Sequence, residues 1–146
     1  MNDAISVAEF IVMYSNRKEY QMNNLKLQKV LYFVQAEFLV RTNGMKPCFK
    51  DKIEAWDFGP VVPVVYHLYS FWGNMQIPYF GYEGVDDILM EEKKVIRDVV
   101  DFCDKYSGTE LLKIVQNQSP WKCTHGRGKH TEITNDSIYE YFKEEK

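Results

Sequence analysis

One stretch limits the folds open to this chain more than any other. Between Asn23 and Gly44, the residues Leu27, Leu31, Val34 and Phe38 recur at helical spacing, and Val30, Phe33 and Leu39 widen the stripe. A helix apolar over so much of its circumference is expected to lie at the centre of a fold, contacted on several sides. Asn23 or Asn24 can cap its start, and Asn43-Gly44 stops it, with Pro47 as a second barrier. At Val30 to Val40 the apolar run is interrupted by Gln35 and Glu37 and is too short to span a bilayer, so no membrane role is expected.

The remaining segments read mainly as helices. Asp3 is an N-cap candidate before Val7, Phe10, Ile11 and Tyr14, which share a helical face. Lys52 to Phe58 alternates, with Ile53 and Ala55 on one side and Glu54, Trp56 and Phe58 on the other, as in a short strand. Gly59-Pro60 turns the chain, and Pro63 suits the first turn of a helix to Trp72, with Val64, Val65, Leu68, Tyr69 and Trp72 as its apolar residues. The aromatic stretch from Met75 to Val85 reads as a loop with a short strand near Tyr79-Phe80. Asp86 or Asp87 starts a helix to about Lys105, Glu110 to Val115 forms another, Trp121 to His130 reads as loop, and Asn135 or Asp136 caps a last helix. The expected fold is mainly α: a single compact domain over residues 1–146, of about six helices with one or two short strands.

Composition narrows the function classes. With 146 residues the chain can bury a core without metal or disulfides, and 45% hydrophobic with 27% charged residues excludes a wholly disordered chain. Lys+Arg 18 against Asp+Glu 21 argues against a surface built throughout to hold nucleic acid. The aromatic fraction of 15% is the unusual figure, and it fits a thick core or an interaction surface equally well. Three widely spaced cysteines and a start, Met-Asn-Asp-Ala, without a basic-then-apolar segment point to a soluble cytoplasmic protein.

No catalytic pattern stands out. Gly126-Arg127-Gly128-Lys129 lacks the strand and glycine spacing of a phosphate loop, and neither a Gly-x-Ser-x-Gly elbow nor a His-Glu-x-x-His pair is present. Cys123, His125 and His130 are three ligand types within eight residues, but without the paired spacings of a zinc site, so neither a metal nor another cofactor is expected. The paired carboxylates lie at helix starts or the terminus, where a solvated face accounts for them. Lys122, Arg127 and Lys129 share a segment free of acids beside Trp121, which could contact phosphates and stack on a base.

Three segments carry a resemblance: Leu25-Lys-Leu-Gln-Lys-Val-Leu-Tyr-Phe33, Ile53-Glu-Ala-Trp-Asp-Phe-Gly-Pro-Val-Val-Pro-Val-Val-Tyr66, and Ser119-Pro-Trp121. Together they resemble the Panacea antitoxin domain family, with phage-associated and SocA-like members, over about residues 24–142. Matched by position are Leu27, Lys29, Leu31, Tyr32, Glu54, Ala55, Trp56, Gly59, Pro60, Val61, Pro63, Tyr66, Pro120 and Trp121. Two departures stand out. Val115 and Gln116 occupy the places of a Thr-His pair found in many relatives, and His125 that of an arginine.

The resemblance implies a mostly helical, non-enzymatic module that neutralises a protein toxin, encoded adjacently, by direct binding; some members resemble adaptors that deliver the toxin to a protease. Lys29, Tyr32, Glu54, Trp56, Gly59, Pro60, Pro63, Tyr66 and Trp121 are the partner-binding or motif candidates it supplies. Trp56, Gly59, Pro60 and Pro63 can equally be read as builders of the turn between strand and helix. The alternative is a nucleic-acid-binding regulator of a phage or of its own operon, using the Lys122–His130 segment. Within the motif, a carboxylate at Glu54 beside Trp56 needs solvent or a partner, and Lys29 is the expected partner.

Overall fold

The order of elements follows from where apolar runs are long enough for helices and where glycine and proline interrupt them. A computed structural model describes residues 1–79, 81 and 84–145. Among these lie α1 (Ala4–Lys18), α2 (Asn24–Arg41), β1 (Ile53–Trp56), β2 (Gly59–Val61), α3 (Pro63–Leu68), α4 (Met90–Cys103), α5 (Gly108–Gln116), α6 (Ser119–His125), β3 (Thr131–Ile133) and α7 (Asn135–Glu145). Short 3-10 turns occupy Ser70–Trp72 and Gly84–Asp87. The mainly α architecture matches the sequence expectation, with seven helices and three strands among the described residues rather than six and two.

Helix α2 is the axis of the fold. It packs against α1, α3, α4, α5, α7 and β2, and Leu27, Val30, Leu31, Val34 and Leu39 along it are fully buried. Burying each such aliphatic side chain stabilises the fold by about 1.5–3 kcal/mol. Its start is fixed as expected: the Asn23 side chain accepts from the Lys26 N–H at 2.9 Å. At its end Asn43 and Gly44 both take positive φ (55° and 82°), and the Gly44 N–H closes on the Leu39 carbonyl at 2.7 Å.

Several expectations are corrected at element ends. Asp3 precedes α1, but its side chain caps nothing; the Ala4 N–H is taken by Asp51 Oδ1 at 2.8 Å, while Asp3 pairs with Lys50 at 3.0 Å. The cap of α7 is Thr134, whose Oγ1 accepts from the Ser137 N–H at 3.1 Å, and Asn135 is already helical. Helix α4 begins at Met90, because Asp86 and Asp87 belong to a 3-10 turn. Helix α5 begins at Gly108, two residues early, because Ser107 and Glu110 close a capping box. The expected strand near Tyr79-Phe80 is absent at Tyr79, and Phe80 lies outside the described residues.

The largest correction concerns residues 121–130. The segment read as loop begins as helix α6, with Pro120 in its first turn, where the missing N–H costs nothing. After Gly126 and Gly128 the chain enters β3. The sheet order is β2-β1-β3, both pairings antiparallel, with Trp56 opposite Gly59 and Ala55 opposite Thr131. None of the helices among the described residues is long and apolar enough to cross a membrane.

Candidate functional site

Strands β1 and β2, the Asp57-Phe58 turn between them and helix α3 contain most of the sequence-derived candidates. Register puts Trp56 opposite Gly59, so the turn closes over two residues and Gly59 leaves it with φ +101°, a conformation that suits glycine. Alternation along β1 places Glu54 and Trp56 on one face, as expected. Their side chains meet: Trp56 Nε1 donates to Glu54 Oε1 at 2.9 Å.

That contact replaces the expected pairing of Glu54 with Lys29. Lys29 is fully buried and makes no ion pair among the described residues; its ammonium donates to the Pro60 carbonyl at 3.4 Å and lies 5.8 Å from the centre of the Phe58 ring. The physical reason is register. Glu54 projects to the Trp56 side of the sheet, whereas Lys29 rises from α2 beneath the turn. Burial pushes the Lys29 ammonium down to about 7, since nothing nearby offsets its lost hydration.

A row of buried polar side chains on α2 secures the hairpin and α3. Asn24 Nδ2 donates to the Tyr66 carbonyl (3.0 Å), Gln28 Nε2 donates to Asn24 Oδ1 (2.9 Å), and Gln28 Oε1 accepts from the Val62 N–H (2.9 Å). Further along, Gln35 holds Cys48 and Phe49 through their backbones (2.8–3.2 Å), and the Tyr32 hydroxyl donates to Gln118 Oε1 at 2.7 Å. Reading the sequence for apolar periodicity gave no partner role to Asn24, Gln28, Gln35 or Gln118. For the three on α2 the signal was present as amides recurring inside an otherwise apolar helix, a pattern that burial tolerates only with fixed partners.

Two tryptophan–histidine stacks cover the other side. Trp121 on α6 donates its Nε1 to the Trp56 carbonyl at 2.8 Å, and His125, one turn on, stacks on Trp121 with ring centres 4.4 Å apart. His130 stacks on Trp56 at 4.3 Å and donates its backbone N–H to Ala55, from a positive φ of 61°. His125 Nε2 lies 2.9 Å from Asp57 Oδ1. This hydrogen bond, with Lys129 at 3.6 Å, holds the Asp57 carboxyl below its usual range. Asp57 thus brings a carboxylate from the β1–β2 turn against the 122–130 segment, which holds no acid of its own. Cys123, His125 and His130 do not converge, and among the described residues no group of three His, Cys, Asp or Glu is placed to hold a metal ion.

The candidates therefore divide by depth. Lys29, Tyr32, Trp56, Gly59 and Pro60 are buried; Glu54, Pro63, Tyr66 and Trp121 are half-buried. What the motif shows to solvent is a different set. Val64 and Leu68 on α3, and Phe71 in the 3-10 turn that follows it, are 41%, 48% and 86% exposed. Of the residues expected to form the apolar face of α3, only Val65 and Tyr69 are buried, with Trp72 packed at the core's edge. A second apolar surface is a groove of about 530 Å³ between α2, α4, α5 and α7, lined by Phe33, Val40, Val99, Phe102, Ile114 and Phe142.

The comparisons with known proteins bear on the same segments. A family model described as "Antitoxin SocA-like, Panacea domain" matches residues 27–122, from α2 through the hairpin and α3 into α6. Antitoxin SocA of Caulobacter vibrioides (strain NA1000 / CB15N) is 41% identical over 68 residues, which are 47% of this chain and 35% of that protein. The chain thus spans about a third of the length of that curated relative. No solved structure matches.

Proposed function

The chain belongs to the SocA-like Panacea domain family, and we propose that it is an antitoxin that neutralises a cognate protein toxin by direct, non-catalytic binding. The observation that carries this reading is the exposed apolar set Val64, Leu68 and Phe71, displayed by α3 and the 3-10 turn that follows it. Apolar side chains this exposed and this close along the chain mark a surface that a partner covers. Beneath it, the buried amides Asn24 and Gln28 of α2 hold α3 in one orientation, which lowers the ordering cost of binding. The toxin is proposed to be the product of a neighbouring gene.

Nucleic-acid binding is the less favoured reading. Of the three cations in the 122–130 segment, Lys129 pairs with Asp57, and Lys122 and Arg127 supply too little charge for a phosphate-tracking surface.

Co-expression with each adjacent gene in a permissive host tests the proposal. The expected result is rescue of growth together with co-purification of the two chains. If rescue occurs without a stable complex while the toxin's half-life falls in a protease-dependent way, delivery replaces occlusion. Absence of any toxic neighbour, or toxicity that persists despite soluble expression of this chain, overturns the assignment.

A further inference from the structure

A polar cavity of about 370 Å³ opens where the first turns of α2 and α5 meet, at a distance in sequence from every motif residue but those of α2. Its lining includes Asn23, Lys26, Lys105, Tyr106, Ser107 and Gly108. We propose that this cavity binds a phosphate group, with Lys26 as its principal cation and the N-terminus of α5 as its second donor.

Lys26 is the first ground. It is only 4% exposed while lining the cavity, and among the described residues its ammonium has neither a hydrogen bond nor an ion pair. A lysine this covered by its neighbours, with no counter-charge among the described residues, gains from an anion in the adjoining cavity. Lys29, three positions on along α2, at least reaches the Pro60 carbonyl.

The start of α5 is the second ground. Ser107 Oγ accepts the Glu110 N–H at 3.1 Å and the Ser107 carbonyl accepts that of Leu111 at 3.0 Å. The N–H groups of Gly108 and Thr109 remain as donors at the positive end of the helix dipole. Gly108 packs directly on Lys26: a Cβ there would stand in ordinary contact with Lys26, 3.4 Å from its Cβ.

Charge limits the ligand. Asp104 lines the cavity too and offsets Lys105, and the Glu110 carboxylate, which accepts from the Ser107 N–H at 2.8 Å, stands at the same helix start. One compact, strongly accepting group is therefore favoured over an extended polyanion. The cavity is larger than a free phosphate needs and falls in the range of small-ligand sites, with the Tyr106 ring and the amides of Gln21 and Asn74 beside it.

The test is an NMR titration of the full chain with inorganic phosphate, adenosine monophosphate and adenosine. Saturable shifts of the Gly108 and Thr109 amides with both phosphates and none with adenosine are expected. Tighter binding of the nucleotide assigns the site to a phosphorylated small molecule, and equal affinity assigns it to the free ion. Lys26→Gln should weaken binding at least about tenfold. Should that variant fail to fold, Lys105→Gln on the surface should weaken binding about threefold. No saturable shift up to about 20 mM phosphate, or unchanged affinity in the folded variant, overturns the proposal.

Discussion

The side chain of Lys29 crosses Gly59 so closely that a β-carbon on Gly59 would stand 2.6 Å from Lys29 Cε and 3.0 Å from Leu112 Cδ1. Two motif residues 30 positions apart are thus matched in shape: the glycine makes room for the lysine, and the lysine fills the space under the turn. This accounts for their joint presence without any contact to a partner.

Gly59→Ala is expected to destabilise the fold by about 2–4 kcal/mol, combining a strained positive φ with the collision. Urea unfolding measures it. Placing Gly59→Ala in a Lys29→Ala background should recover part of the loss, because the Cε atom is gone while the backbone strain remains. Full additivity would show that the two side chains do not meet.

The buried Lys29 also makes stability depend on pH. Its ammonium titrates near 10.5 in an unfolded chain and at about 7 in the fold. Between those values the unfolded state holds the extra proton, so stability rises as pH climbs above about 7 and is lowest below it. Lys29→Met should be more stable than the parent at pH 7, by on the order of 1–4 kcal/mol, and should lose this slope. Melts between pH 7 and 8.5 are the clean window. Above about pH 9 the buried thiols of Cys48 and Cys103, held protonated by their burial, act in the opposite direction.

Glu54 answers to Trp56 instead of Lys29. Trp56→Phe removes the indole donor and should cost about 0.5–1.5 kcal/mol beyond the smaller ring, whereas Glu54→Gln keeps an acceptor and should be close to neutral. Losses from Glu54→Ala and Lys29→Ala should add, since the structure gives the pair no contact. A measured coupling between them above about 0.5 kcal/mol would contradict this geometry.

How much of this could be read from residues alone varies with the range of the interaction. Helix α2, its Asn23 cap and its Asn43-Gly44 stop depend on neighbours three or four positions away, and were legible. Strand β1 followed from a two-residue alternation, but the hairpin did not: Gly59-Pro60, expected to turn the chain, opens strand β2, and Asp57-Phe58 make the turn. Strand β3 was not legible: Thr131–Ile133 is three residues long and exists because β1, nearly eighty positions earlier, offers an edge. Helix α6 was hidden by its polar composition and the glycines that follow it, although Pro120 in a first turn was a usable start signal. Depth was the hardest to read. Apolar Val64 and Leu68, expected on the apolar face of their helix, are exposed, while Lys29, expected beside Glu54, is fully buried away from it, because only the packed hairpin decides which side of each helix is covered.

Tyr32 tests the division between buried motif and exposed face. Its hydroxyl is the donor to Gln118 Oε1, and both side chains are buried. Tyr32→Phe leaves that oxygen without its donor and should cost about 1–3 kcal/mol. Toxin neutralisation by the folded variant should be unchanged at a temperature well below its melt. Loss of neutralisation with undiminished stability would instead place Tyr32 at the partner.

The exposed set gives the opposite signature. Phe71 is 86% exposed, so Phe71→Asp removes little packing and should change stability by less than about 0.5 kcal/mol. On the proposed interface the same change puts an unpaired carboxylate against an apolar partner surface, a cost of about 2 kcal/mol or more, which weakens binding about thirtyfold or further. Leu68→Asp, at the end of α3 and 48% exposed, should behave alike. The groove residue Phe102, 51% exposed on α4, serves as the comparison: Phe102→Asp should leave neutralisation intact. Growth rescue and co-purification of the three variants decide between the surfaces. Rescue surviving at Phe71 and Leu68 but lost at Phe102 would move the toxin site from α3 to the groove.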